Sequence, residues 1–136
     1  LVRRCNPKCT YAIVDLPEMC ALQYVYLSTL LENEVHLVSD AEPEIISGKV
    51  NIIPVGLIMS GNTLIEAEGF LSTWALTESP QEQQAFVCES RFFGAKTALL
   101  AYADDSRNHV KAHLSKLRFT THAVPALPAT NRYAFL

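Results

Sequence analysis

The chain has 136 residues, 49% of them hydrophobic, and its 11 Lys and Arg against 14 Asp and Glu leave a net charge of −3. That apolar content suffices for the core of one domain and argues against disorder, and the acidic balance excludes the basic stripe that duplex nucleic acid or anionic lipid requires. The longest apolar stretches, such as residues 50–59, are about half of the ~20 residues a transmembrane helix needs, and no basic-then-apolar leader precedes them, so a cytoplasmic protein with a small-molecule partner, no nucleic acid and no membrane is expected.

Val2-Arg3-Arg4 followed by Asn6-Pro7 reads as the tail of a helix and its stop, and a first residue of Leu1 rather than Met predicts that an upstream segment has been cut away. Residues 10–14, Thr-Tyr-Ala-Ile-Val, are a short β-branched and aromatic run that stops at Asp15-Leu16-Pro17, the pattern of a buried parallel strand with a turn after it. Pro17 is a favoured first helical residue, with Asp15 or Leu16 capping. Apolar positions then recur at Met19, Leu22, Val25, Tyr26 and Leu30 until Glu32-Asn33, which predicts a helix of roughly four turns. Residues 34–38 and 50–55 are both strand-like, and the acidic segment 39–49 lies between them, so one of the two is expected to be an edge hairpin or an insertion.

Residues 56–68 read as loop, and 69–73 (Gly-Phe-Leu-Ser-Thr) as another buried strand, with 74–79 making the crossing. Ser79-Pro80 opens a helix by the cap-then-proline rule, with Glu82 in its first turn, Phe86, Val87 and Phe93 toward the core, and Gly94 closing it. Residues 97–102 form a strand. Residues 104–106 cap a helix that carries Val110, Leu114 and Leu117, and 119–124 and 133–136 are two final strands. Alternating strands and helices predict an α/β fold with a mainly parallel sheet. The last connection is too short for a helical crossover, so the final strand should be antiparallel to its neighbour.

Cys5, Cys9, Cys20 and Cys88 are read as reduced, because Cys20 and Cys88 fall in apolar helical patterns and the Cys5/Cys9 step lacks half of a zinc ligand set. His109 and His113 stand four residues apart on one predicted helix without the Glu of a zinc-protease motif, and a solvated face accounts for them. His36 and His122 have no identified partner.

Tyr11-Ala12-Ile13-Val14-Asp15-Leu16-Pro17-Glu18, then Leu22-Gln23-Tyr24-Val25-Tyr26-Leu27-Ser28, resembles the strand, Asp-Leu-Pro-Glu and Leu-Gln-x-x-Tyr-Leu-Ser signature of sugar O-methyltransferases. Phe70 to Glu78, then Phe92-Phe93-Gly94-Ala95-Lys96 and Leu99-Leu100-Ala101-Tyr102, is similar in order and spacing. The resemblance implies a Rossmann-like methyltransferase sheet and a single partial domain over residues 1–136, lacking the first strand and its glycine-rich loop. It also implies S-adenosylmethionine as cofactor and a sugar or similar hydroxyl as methyl acceptor. Asp15 matches the acidic residue that accepts hydrogen bonds from the cofactor ribose, and Leu16 and Thr73 fall to the cofactor site with it. A carboxylate at the carboxyl end of a parallel strand suits a ribose diol on chemical grounds as well, and helix capping is the competing role for Asp15. None of the five glycines forms G-x-G, so weak or no cofactor binding by residues 1–136 alone is expected.

Methyl transfer to a hydroxyl needs the acceptor placed in line and a base for its proton. The loop after the strand at 69–73 is the natural place for both. Glu78 is the first choice as base, and Trp74, Thr77 and Asp104 are expected to bind the substrate. Capping and the helix dipole are competing roles for Glu78 and for the Asp104-Asp105 pair, and core packing for Trp74. Asp40 is a further adenine contact if 34–38 is the third strand. A missing first strand leaves an exposed sheet edge, which predicts self-association. The alternative function is a non-catalytic α/β binding or interaction module that retains the fold.

Overall fold

The computed structural model describes residues 6, 8–104, 109–128 and 130–136; of His109 only the backbone is described. The chain divides into two units, Leu1–Ile65 and Glu66–Leu136. The expected helix tail at 2–4 and the capping residues 105–106 lie outside the described residues. No helix among the described residues is long and apolar enough to cross a membrane.

In the first unit, β1 (Tyr11–Asp15) leads through Leu16 into α1 (Pro17–Leu31). A 3-10 turn at Glu32–Glu34 then precedes β2 (Val35–Leu37), β3 (Val50–Pro54) and the short α2 (Val55–Met59). All three strands are parallel in the order β1-β3-β2, with Tyr11 and Val35 both opposite Val50. The two strand-like runs at 34–38 and 50–55 are therefore both strands of one sheet. Residues 50–54 lie beside β1 and 35–37 form the outer edge. Burial decides this order: β3 is closed on both faces and reads as unbroken apolar sequence but for Asn51, as a central parallel strand should.

Asn51 is fully buried, and its side-chain amide holds the backbone of the segment that leads into β3. Its Oδ1 accepts from the Ile46 N–H at 2.8 Å, and its Nδ2 donates to the carbonyls of Ile46 (3.0 Å) and Lys49 (3.2 Å). Thr63, equally buried, donates to the Pro43 carbonyl at 3.0 Å. The acidic segment between β2 and β3 is thus pinned by buried side chains, since a buried polar group without a partner is costly.

Helix α1 corrects a reading of the sequence. The apolar positions Leu22, Val25, Tyr26 and Leu30 are each 60–63% exposed, whereas the helix packs through buried Cys20 with Leu27 and Leu31 onto Val35, Val50 and Ile52. The helix is apolar nearly all round, so spacing alone could not tell its inner stripe from its outer one.

The second unit contains β4 (Gly69–Thr73), the one-turn α3 (Ala75–Glu78), α4 (Gln81–Glu89), β5 (Thr97–Ala103), α5 (His109–Leu114), β6 (Thr120–Ala123) and β7 (Asn131–Phe135). Its strands lie in the order β4-β5-β7-β6, with β4 parallel to β5 and β7 antiparallel to both β5 and β6. The last strand starts two residues earlier than its apolar pattern suggested, because Asn131 and Arg132 pair with Ala103 and Tyr102. The core gathers Leu76, Val87, Leu100, Val110 and Leu114 around Phe92, whose ring meets Phe70 at 5.2 Å and Phe119 at 5.5 Å.

Helix α4 ends at Glu89, short of Gly94. Arg91, Phe92 and Phe93 follow with φ of 53°, 56° and 58°, a left-handed turn closed by Gly94 at φ 76°. Left-handed backbone costs about 1–2 kcal/mol per ordinary residue. Complete burial of Phe92 and the Ser90 Oγ that accepts from the Phe93 N–H at 3.2 Å offset it. Ser79 also departs from expectation. It does not cap α4 but donates its hydroxyl back to the Leu76 carbonyl at 2.6 Å, and Pro80 stands at the cap position.

Candidate functional site

Residues of interest gather at the carboxyl ends of the parallel strands in each unit. In the first unit, β1 ends on Asp15, whose Oδ1 accepts from the Leu16 N–H and whose Oδ2 accepts from Gln23 Nε2, both at 2.8 Å. Gln23 stands two turns into α1, so the first strand and the helix after it together fix this carboxylate. Asp15 makes no side-chain cap within the first turn of α1, and Leu16 occupies the cap position through its backbone, accepting from the Cys20 N–H at 2.9 Å. Each Asp15 oxygen keeps lone-pair capacity for a further donor. The Cys20 thiol donates to the Asp15 carbonyl at 3.5 Å, and its pKa is raised by burial and then by the Asp15 charge. Cys20 is therefore a packing group and not a nucleophile.

Asp40 follows the outer strand β2, and its Oδ1 accepts from Asn62 Nδ2 at 3.2 Å. The strand on which an adenine contact from Asp40 depended, residues 35–37, is the outer one, separated from β1 by β3. His36 is buried, its Nδ1 is 3.9 Å from Glu42 and its Nε2 has no hydrogen-bond partner among the described residues.

In the second unit the chain turns sharply where β4 ends. Thr73 is the last strand residue, paired with Ala101, and Trp74 then adopts φ 62° and ψ −30°. A bulky residue in the left-handed region is an outlier that its surroundings must impose. Contacts at its N–H, its carbonyl and its indole impose it here. The Trp74 N–H donates to the Ala101 carbonyl at 2.7 Å, its carbonyl accepts from Thr77 N–H (2.9 Å) and Thr77 Oγ1 (2.9 Å), its indole Nε1 donates to Asn131 Oδ1 at 2.9 Å, and its ring lies 6.5 Å from Tyr133.

Glu78 closes α3 with an exposed side chain, and Gln84 holds the backbone on either side of it. Gln84 Nε2 donates to the carbonyls of Thr77 (3.3 Å) and Ser79 (2.8 Å), while its buried Oε1 has no partner among the described residues. Asp104 follows β5. Its N–H donates to the Thr130 carbonyl at 2.6 Å, and its carboxylate is 2.7 Å from Lys111 Nζ on α5. Tyr102 precedes it, its phenol pushed up by burial and by the Asp104 charge, against the opposing pull of Arg132 and Lys111.

Thr73, Trp74, Thr77, Glu78 and Asp104 thus share one end of the second sheet, and Asp15 and Leu16 share the corresponding end of the first. Gln23, Gln84, Lys111, Asn131 and Tyr133 were not found from sequence. The signal for Gln23 was present, since it lies in the same Leu-Gln motif as the resemblance. Asn131 reaches Trp74 only through the antiparallel register of β7, which no local pattern carries. Of the histidine pair, His113 is half-buried rather than on a solvated face, and the His109 side chain lies outside the described residues. No group of three or more His, Cys, Asp or Glu among the described residues is arranged to hold a metal ion. Cys20 and Cys88 are free thiols, and Cys5 lies outside the described residues. Comparisons with family models, with curated proteins and with solved structures give no match.

Proposed function

We propose that the chain is part of an S-adenosylmethionine-dependent methyltransferase that modifies a hydroxyl of a saccharide or a similar acceptor. The observation that carries this reading is Asp15, a carboxylate at the carboxyl end of a parallel strand, held in one orientation by Gln23 and the Leu16 N–H. The two oxygens that keep acceptor capacity suit the adjacent hydroxyls of a ribose. The reversed last strand, β7 in the order β4-β5-β7-β6, supports this reading, since an antiparallel final strand is what the resemblance implies.

Bound S-adenosylmethionine supplies a methyl group on a sulfonium, already activated toward an oxygen nucleophile. Asp15 and Leu16 hold the cofactor in this reading. The chain's remaining work is to place the acceptor and take its proton. Thr77 donates its own proton to the Trp74 carbonyl, which leaves its oxygen free to accept from a sugar hydroxyl. Asp104, oriented by Lys111, offers a second acceptor, and exposed Glu78 is the proton acceptor at the same sheet end. Each sheet also ends in a parallel edge strand, β1 in the first and β4 in the second, without the Lys or Pro that blunts such edges; self-association through an edge belongs to this reading.

The test is calorimetric titration of S-adenosylhomocysteine into residues 1–136 and into the full natural polypeptide that carries them. Binding by the full polypeptide that weakens about tenfold or more in Asp15→Ala, the loss expected for a charged hydrogen-bond acceptor, supports the cofactor site. Glu78→Gln is then expected to slow methyl transfer at unchanged cofactor affinity. A well-folded full polypeptide that binds no S-adenosylhomocysteine replaces this reading with the non-catalytic α/β binding module.

A further inference from the structure

The strained Trp74 is secured at its indole by one side chain from the far end of the chain. Asn131 opens β7 opposite Ala103, and its amide is oriented by two partners of opposite character. The indole Nε1 can only donate, so Oδ1 must face it, at 2.9 Å; Nδ2 then donates to the Pro128 carbonyl at 3.2 Å. Turning the amide over would put donor against donor and acceptor against acceptor. The Asn131 N–H also donates to Pro128 O, at 2.9 Å, and its carbonyl accepts from the Val124 N–H at 3.1 Å, so the clamp stands on a fixed backbone. Tyr133, two residues on along the same strand, backs the indole ring.

Thr73 and Thr77 flank half-buried Trp74 in the chain, and Asp104 follows the neighbouring strand, so two hydroxyls and a carboxylate fall at the same end of the β4–β5 pair as the indole. An aromatic ring with hydroxyl and carboxylate acceptors at the same sheet end suits a saccharide, which offers a face of C–H groups to a ring and hydroxyls to acceptors. We propose that Asn131 is the positioning residue that fixes Trp74 as the stacking wall for a saccharide at this sheet end. The saccharide as ligand rests on the function proposed above. The clamp itself rests only on geometry.

Trp74 is the one tryptophan of residues 1–136, and subtracting the signal of a Trp74→Phe variant of the full polypeptide leaves fluorescence that reports this site alone. The experiment measures acrylamide quenching of Trp74 in the full natural polypeptide and in Asn131→Leu and Asn131→Asp, with and without the methyl glycosides of glucose, galactose and rhamnose. Calorimetry with S-adenosylhomocysteine runs in parallel. Asn131→Leu is expected to raise the quenching constant and to weaken glycoside protection of Trp74 about fivefold, the factor set by one neutral hydrogen bond, at unchanged S-adenosylhomocysteine affinity. Asn131→Asp keeps the oxygen that accepts from the indole but loses the amide that donates to Pro128, so quenching should rise less than in Asn131→Leu, which separates loss of the clamp from a general loosening of β7.

Unchanged quenching in Asn131→Leu overturns the clamp. Increased quenching with no protection by any glycoside in the natural protein overturns the saccharide wall. Glycoside protection that depends on Asn131, in a protein that binds no S-adenosylhomocysteine, upholds this inference and removes the methyl-transfer reading instead.

Discussion

The two units bury their hydrophobic residues in different ways. The first packs one side of an apolar helix onto three parallel strands, with a small buried cluster of Cys20, Val35, Val50 and Ile52, and leaves Leu22, Val25, Tyr26 and Leu30 outside. The second wraps both ends of a mixed sheet around Phe92 and keeps ten buried residues in one cluster, tied by five of its aromatic rings, Phe70, Phe86, Phe92, Phe93 and Phe119. The lesson is that a run of apolar sequence is not a measure of core. The first unit has the more apolar helix and the smaller core, because a three-stranded sheet offers one contact stripe to a helix whatever the helix carries on its other sides.

The largest effect that sharpens this contrast is expected at Phe92. Phe92→Ala should lower the stability of the second unit by about 3–5 kcal/mol, read as an earlier loss of Trp74 fluorescence in urea. A change below about 1 kcal/mol would mean that the aromatic cluster is not the organising core. In the first unit Ile52→Ala, in the centre of β3, should cost about 2–4 kcal/mol, measured by hydrogen exchange of the β3 amides. A loss larger than that of Phe92→Ala would invert the comparison.

Alkaline pH separates the units more gently. Burial, and then the Glu89 charge, push the Cys88 thiol up to about 11 from an ordinary 9.0. The folded state therefore holds this proton more tightly than the unfolded chain. The associated stability is fully present below pH 9 and is lost as pH rises through 11, about 2–3 kcal/mol in all. Stability of Cys88→Ala should be flatter over that window; equal slopes would show that another group governs it. The raised thiol also predicts slow alkylation of Cys88 at pH 8 in the folded protein.

The smallest effect on folding, but a visible one on association, is expected from Leu22→Lys combined with Val25→Lys. Both side chains are exposed, so stability should change by less than about 0.5 kcal/mol, while sedimentation velocity should show less self-association. Association unchanged by these substitutions would point to the open β1 edge rather than the α1 stripe as its cause.

The strand runs at β1, β3, β4 and β5 were legible because buried parallel strands leave unbroken apolar stretches that turn residues bound. So was the reversal at the end of the chain, since a connection of a few residues cannot carry a parallel crossover. The short helices α2 and α3 were not, because one turn of helix has no periodicity to read. The left-handed turn at Arg91–Phe93 was hidden for a related reason: nothing in Arg-Phe-Phe favours it, and the burial of Phe92 and the Ser90 hydroxyl hold it in place.

By itself the sequence determined at which strand ends the candidate residues fall: Asp15 closes β1, Thr73 closes β4 with Trp74 next, and Asp104 follows β5. Those are consequences of local pattern and chain order. The tertiary structure alone decided which side of α1 is buried, that β3 lies beside β1, and that Gln23 holds Asp15 while Asn131 holds Trp74. Such choices depend on pairing register and on competition for a limited buried surface, and residues eight or fifty-seven positions apart meet only when the whole chain has settled that competition.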